Sequence, residues 1–431
     1  MRDMTLTHEV PRHGVSIARE ILEDSPLLVV QGARQVGKST LLCQALNEEE
    51  AHFVTLDDAL ALDYARHDPA GFVEQAGSRT LVIDEAQRAP ELALALKASI
   101  DRDRRPGRFA ITGSSDLLRL PGVSDSLAGR AESLRVYGLS QGEIAEREQP
   151  EDWVAWAVDG YQGLERWNEY GGSSDELRSA IIAGGYPEPL KRSDRRRQER
   201  WYGSYVERLA THDSRELGNG SRFSQYLETL LRVIANQPQA ELVKSKVARS
   251  LGIAESSLGE YLTLAEMMYL IDITPGWGMG YSSRALKRPK VSIADTGLAA
   301  FLTGFSVEKS RVAGGFEHYG ALVEAFVCGE LLKQATWSRE RFKIAHYRKR
   351  AIEIDIVIEL ADGRVVPVEV KSALSVDARA WKNVVRFGME HQERCSAGVV
   401  LYHGSRAVTV EQDGFPVHVL PISSLWQHED Q

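Results

Sequence analysis

The octapeptide Gly32-Ala33-Arg34-Gln35-Val36-Gly37-Lys38-Ser39 fits G-x-x-x-x-G-K-[ST] at every fixed position. The pattern restricts the fold because it works only between a buried strand and the start of a helix. Both flanks are present. Leu27-Leu28-Val29-Val30 is a continuous apolar run before it, and a helix is expected after it, from Ser39 to Leu46. Gly32 and Gly37 let the backbone curl so that its N–H groups face phosphate oxygens. Lys38 reaches the β and γ phosphates, and the Ser39 hydroxyl ligates magnesium. The helix that follows offers its positive N-terminal end to the anion. The residues expected around a nucleotide are therefore Gly32, Ala33, Arg34, Gln35, Val36, Gly37, Lys38, Ser39 and Thr40.

Such a loop needs a second acid. Leu81-Val82-Ile83 reads as a central parallel strand covered on both faces, and Asp84-Glu85 ends it. Asp84 is placed to hold magnesium through water. Glu85 is the candidate base that orients and deprotonates an attacking water. A further strand, Phe109-Ala110-Ile111, ends in Thr112-Gly113-Ser114, whose hydroxyls suit sensing of the γ phosphate or of that water. A plain turn is the other reading of those residues. Arg130 precedes a fifth strand and is either an arginine finger for a neighbouring subunit or half of a surface ion pair. His52 to Leu56 supplies the remaining strand of a five-stranded parallel sheet.

At 431 residues the chain has room for about three domains. A net charge of −9 means that any nucleic-acid site must be a local basic patch. The three cysteines are scattered, with no Cys-x-x-Cys pair, which argues against a zinc ribbon or a disulfide framework. No apolar run approaches the ~18 residues of a membrane helix. These features lead us to expect a reducing, cytoplasmic setting without a membrane partner.

"GARQVGKST", "LVIDEAQ", "ITGSS", "SLAGR", "GGYPEPL", "KRPKVSIADTGL", "GALVEAFV" and "PVEVKSA" occur in this order along nearly the whole chain. The combination resembles the AAA-type ATPases with a catalytic glutamate. More narrowly, it resembles a prokaryotic family of AAA ATP-binding proteins fused to a C-terminal domain of unknown function. The resemblance implies binding and hydrolysis of ATP with magnesium. It names no substrate. The arginine-finger reading of Arg130 leads us to expect a homo-oligomer, with a hexameric ring among the assemblies open to it.

The implied fold class is α/β, with an AAA-type P-loop core over 1–140, a helical lid over 141–225, a winged helix over 226–305 and a PD-(D/E)xK-like, restriction-nuclease-like domain over 306–431. In the lid, Trp153, Trp156 and Trp167 read as core, and "GGYPEPL" resembles a lid motif facing the nucleotide. Six basic residues lie within ten positions from Lys191, but Asp194 and Glu199 interrupt them, so a solvated face is expected. Val243, Val247 and Leu251, then Gly252, then Leu258, Leu262 and Ala265 read as helix-turn-helix. The second helix carries Glu255, Glu260 and Glu266 and no Lys or Arg, which favours a structural or protein-contact role. DNA contact would then fall to the wing, Arg284, Lys287, Arg288 and Lys290.

In the last segment an amphipathic helix from Gly320 to Gln334 places Glu324 early, and three antiparallel strands follow. Asp355 and Glu369 would ligate magnesium, Lys371 would orient the water, and Glu324 would complete the set. Strand acids and lysines also alternate outward on sheets that cleave nothing. Two outputs stay open: an ATPase that gates a nuclease on DNA, or a nucleotide-driven switch or toxin-like module that acts through protein contacts with an inactive nuclease fold.

Overall fold

A computed structural model describes residues 9–114, 127–164, 174–214, 220–280, 283–284 and 287–427. Five strands, β1 (Leu27–Gln31), β2 (Ala51–Thr55), β3 (Thr80–Asp84), β4 (Phe109–Gly113) and β5 (Ala131–Arg135), form one sheet in the order β2-β3-β4-β1-β5. Every pairing in it is parallel. Alternation along the strands explains why it is buried on both faces. Leu28, Val30 and Val82 enter one core, while Leu27, Val29, Leu81 and Ile83 enter the other. Because β1 lies between β4 and β5, the loop after it opens at the point where strand order reverses, the crevice that ligands use in such sheets.

Helix α1 (Lys38–Ala45) begins at Gly37 in the left-handed region, φ 95°. Helix α2 (Arg195–Arg208) carries the basic run, where Arg195 pairs with Glu199 and Arg197 with Asp194. This is the solvated face expected. It continues as a π turn, Leu209–Asp213. Trp153 and Trp156 are buried, as expected of core, and Trp167 lies outside the described residues.

Helix α3 (Gly220–Ala235), α4 (Lys244–Leu251) and α5 (Glu255–Met267) pack beside a small sheet of β6 (Ala240–Glu241), β7 (Ile271–Thr274) and β8 (Lys290–Ile293), ordered β6-β8-β7. Gly252, φ 67°, makes the turn between α4 and α5, and Leu258, Leu262 and Ala265 are buried. The expected basic wing is not free. Gly276 forms a bridge to His346, and the Trp277 N–H donates to the His346 carbonyl at 2.6 Å, so the segment between β7 and β8 docks on the C-terminal sheet. Arg284 forks onto Glu359 at 2.6 and 2.7 Å. The Lys287 ammonium lies 4.5 Å from the centre of the Tyr347 ring. Lys290 is only 3% exposed. Of the four, Arg288 is the exposed one. Contacts within the chain, to Tyr347, Glu359 and Glu324, thus engage Lys287, Arg284 and Lys290.

Asp295 caps α6 (Thr296–Thr303), which leads to α7 (Phe316–Gln334). This helix starts four residues before the expected boundary, so Glu324 sits in its middle. Six strands close the chain: β9 (Phe342–Lys349), β10 (Ile352–Leu360), β11 (Val365–Lys371), β12 (Gly398–Tyr402), β13 (Val408–Gln412) and β14 (Phe415–Pro421). Their order is β13-β14-β12-β11-β10-β9. The meander β9-β10-β11 is antiparallel as expected, and β12 adds in parallel after α8 (Ala378–Glu390). Among the described residues no helix is long and apolar enough to cross a membrane.

Candidate functional site

Gly32 and Gly37 take φ values of 158° and 95°, and non-glycine Gln35 sits at 62°. Space as well as angle demands glycine at 32, since a Cβ there would lie 2.1 Å from the Val136 carbonyl oxygen. Lys38 is buried and its ammonium donates to the carbonyls of Gly32 and Ala33 at 3.0 and 2.9 Å, across the mouth of the loop. Burial pulls this lysine down to about 8, against the upward pull of Glu85 and Asp84.

The two acids come to meet it. The Ser39 hydroxyl donates to Asp84 Oδ1 at 3.0 Å. The fully buried Thr112 hydroxyl donates to the same oxygen and accepts the Glu85 N–H at 3.3 Å. Glu85 itself sits in the left-handed region, φ 55°, which turns its side chain off the strand direction. Its Oε2 accepts from Ser114 Oγ at 3.3 Å and from the Gln87 amide, which also donates to Ser114 at 3.0 Å. Thr112 and Ser114, expected either to face the γ phosphate or the water or to form a plain turn, bond to the two acids one strand away.

A cavity of about 410 Å³ opens beside these groups. Arg34, Gln35, Gly37, Lys38, Ser39, Thr40 and Glu85 line one side, and Val10, Leu139, Pro187 and Glu188 line the other. The second wall is built by "GGYPEPL". Gly185 accepts the Leu139 N–H at 2.6 Å and donates its own to Asp295 at 2.7 Å. The close approach that Gly184 and Gly185 permit is thus to protein, with Asp295 and Leu139 oxygens each 2.5 Å from a built Cβ, while Pro187 and Glu188 face the cavity.

Sequence reasoning missed Arg12. Its guanidinium donates to the Val36 carbonyl at 2.6 Å, the Tyr137 carbonyl at 2.9 Å and Glu143 at 2.9 Å, tying down the phosphate loop at Val36, and Arg12 itself lines the cavity. Asp213 was also missed; it pairs with Arg34 at 3.1 Å from the π turn. One arginine before the first strand carries no pattern. A π turn, often found at functional sites, is invisible until hydrogen bonds are seen.

Arg130 is far from its own site. Ala131 pairs with Leu27, so Arg130 lies at the N-terminal end of the strands, about 15 Å by strand rise from the loop after Gln31. It forks onto Asp101 at 2.7 and 2.9 Å.

The C-terminal residues do adjoin. A register shift in β10 between Ile354 and Val357 re-aims Asp355, which accepts the Val370 N–H at 2.9 Å. Lys371 is bound to Glu369 at 2.6 Å. Lys290 reaches in from β8, 2.6 Å from Glu324 and 3.9 Å from Asp355. Burial first, then the neighbouring Asp355, raises both Glu324 and Glu369 to about 8. No three acidic, histidine or cysteine side chains among the described residues stand in metal-holding geometry, and two lysines take up the carboxylates instead.

Comparison with known proteins bears on the first site. Residues 24–145 match the family described as an AAA domain. That match spans the phosphate loop and all five strands of the parallel sheet. Residues 174–309 match a domain of unknown function, DUF8612, and 319–425 another, DUF4143. An uncharacterized protein of Mycobacterium tuberculosis is 26% identical over 364 residues, covering 84% of this chain and 73% of that protein. A counterpart in Mycobacterium bovis matches to the same extent. Among solved structures, a Walker-type ATPase of Pyrococcus abyssi is 18% identical with a TM-score of 0.43, covering 70% of this chain and 98% of that one.

Proposed function

We propose that this protein is a Mg-dependent ATPase that works as an assembly of identical subunits and drives a C-terminal domain built like a restriction nuclease. The observation that carries the ATPase reading is the convergence of Lys38, Ser39 and Glu85 on one cavity, with Asp84 hydrogen-bonded to Ser39 at its edge. Lys38 leaves the carbonyls of Gly32 and Ala33 for the β and γ phosphates. Ser39 and Asp84 would hold magnesium, whose charge would offset that on the phosphate oxygens. Glu85, freed from Gln87 and Ser114, takes the proton of the attacking water. Arg130, too far to serve its own site, leaves Asp101 and stabilises the transferring phosphate of a neighbour.

The nucleotide wall and the C-terminal acids share elements. Helix α7 carries Glu324, and near its end Lys333 donates to the Leu139 carbonyl at 2.8 Å while Glu330 accepts the Gln141 N–H at 2.9 Å. Strand β8 carries Lys290 and leads directly to Asp295, the partner of Gly185. We read residues 226–305 as a winged helix turned to protein contact, since its wing is docked within the chain. A second reading, a switch with a silent nuclease fold that acts on a protein partner, is favoured by the pairing of Lys371 with Glu369.

Glu85→Gln tests the ATPase reading. Binding of ATP, followed by calorimetry, should persist, while turnover should fall ~10²–10⁴-fold with the base removed. Turnover at the wild-type rate would remove Glu85 from that role.

A further inference from the structure

Lysine is almost never fully buried without a partner. Lys290 is buried in the middle strand of the β6-β8-β7 sheet, in register with Glu241 on one side and Thr274 on the other. Its partners lie outside that sheet. The ammonium sits 2.6 Å from Glu324 Oε1 on α7 and 3.9 Å from Asp355 Oδ1 on the β10 irregularity. Glu369, which also faces the cluster, spends Oε1 on Lys371, and its Oε2 is buried without a hydrogen-bond partner among the described residues. Three carboxyl groups from α7, β10 and β11 thus meet two ammonium groups, and one of those comes from a different sheet. A single cation between Glu324 and Asp355, with an unsatisfied carboxylate oxygen nearby, is the place a small divalent ion would occupy.

We propose that Lys290 is a tethered counter-cation that closes the C-terminal acid cluster to divalent metal, so that metal enters only when that charge is removed. This rests on the nuclease-like reading of that cluster. The geometry accounts for two facts together. The acids tolerate burial because a cation already lies among them, and they lack metal-holding geometry because that cation keeps Glu324 and Asp355 on its own two sides. The closure is intramolecular, so it needs no partner and is present at any protein concentration.

The test is Mn²⁺ titration of the full-length chain without nucleotide, read by the electron paramagnetic resonance signal of the free ion. Lys290→Met and Lys290→Gln remove the charge, and Lys290→Arg keeps it. Melting temperature and ATP binding report that each variant is folded. The expected result is one Mn²⁺ site in the Met and Gln variants, at least about tenfold tighter than in wild type because a unit charge within 4 Å has gone. That site should vanish when Asp355→Asn is added, and Lys290→Arg should stay closed. Equal Mn²⁺ binding by wild type and Lys290→Met, lost with Asp355→Asn, would overturn the closure and leave the metal reading standing. No binding by folded Met and Gln variants up to ~10 mM, weaker than functional divalent sites, would overturn both.

Discussion

Arg12→Ala should lower stability and nucleotide affinity together, through different bonds. Arg12 is 7% exposed, and each of its three guanidinium nitrogens donates once, to Glu143, the Val36 carbonyl and the Tyr137 carbonyl. Burial disfavours the Glu143 carboxylate, but Arg12 and His13 outweigh it and hold it below the usual range. Removing Arg12 strands that charge, a change that costs about 3–5 kcal/mol when one partner of a buried pair is lost. At about 2–4 °C per kcal/mol for a domain of some 200 residues, the melting temperature should drop by roughly 10 °C. The Val36 carbonyl precedes Gly37, so its lost bond loosens the phosphate loop itself. A hydrogen bond from a charged donor is worth about 1.5–3 kcal/mol, which sets a loss of about 10- to 100-fold in ATP affinity. Thermal denaturation followed by circular dichroism and ATP titration by calorimetry read the two effects. Adding Glu143→Gln removes the stranded charge, so it should restore part of the melting temperature and none of the affinity. The deficit should also shrink below about pH 5. A carboxylate held low in the fold contributes stability above its unfolded pKa and loses it as pH falls, and the stranded Glu143 takes up a proton there. A melting temperature within about 1 °C of wild type, with affinity unchanged, would refute this account.

Lys38, pulled down to about 8 by burial, should make binding pH-dependent. Above about pH 8 the free protein has lost the ammonium that phosphate needs, so affinity should fall by up to about tenfold per pH unit and binding should take up a proton. Calorimetry in two buffers of different ionisation heat reads that proton, and flat affinity between about pH 7 and about pH 9 would sink the idea. For stability the sign is opposite, because a lysine lowered in the fold penalises folding below about 8 and the penalty is relieved as pH rises. If Arg130 serves a neighbour, a mixture of Lys38→Ala and Arg130→Ala subunits should regain turnover that neither has alone, and specific activity should rise with protein concentration. Equal activity at all dilutions, with no rescue on mixing, would place Arg130 in the Asp101 ion pair only.

The phosphate-loop part of the protein was legible because its chemistry is local. Gly32 to Ser39 and Asp84-Glu85 are contiguous, the alternation of Leu27 to Val30 between two cores is written into β1, and parallel strands bring their C-terminal ends together whatever fills the loops. The antiparallel β9-β10-β11 meander was legible for the same reason, since short turns join its strands. Tertiary structure decided which charges face each other. Lys290 sits in a basic stretch that reads as a surface wing, yet it is buried against a glutamate 34 residues away. Arg12 supports a loop 24 residues away and a carboxylate 131 residues away. Thr112 and Ser114 turned to the acids of the adjacent strand, a pairing set by sheet order. A side chain's type states what bonds it can make, but its partner is chosen by packing of distant elements, where removing a buried charge from water forces the nearest opposite charge into contact.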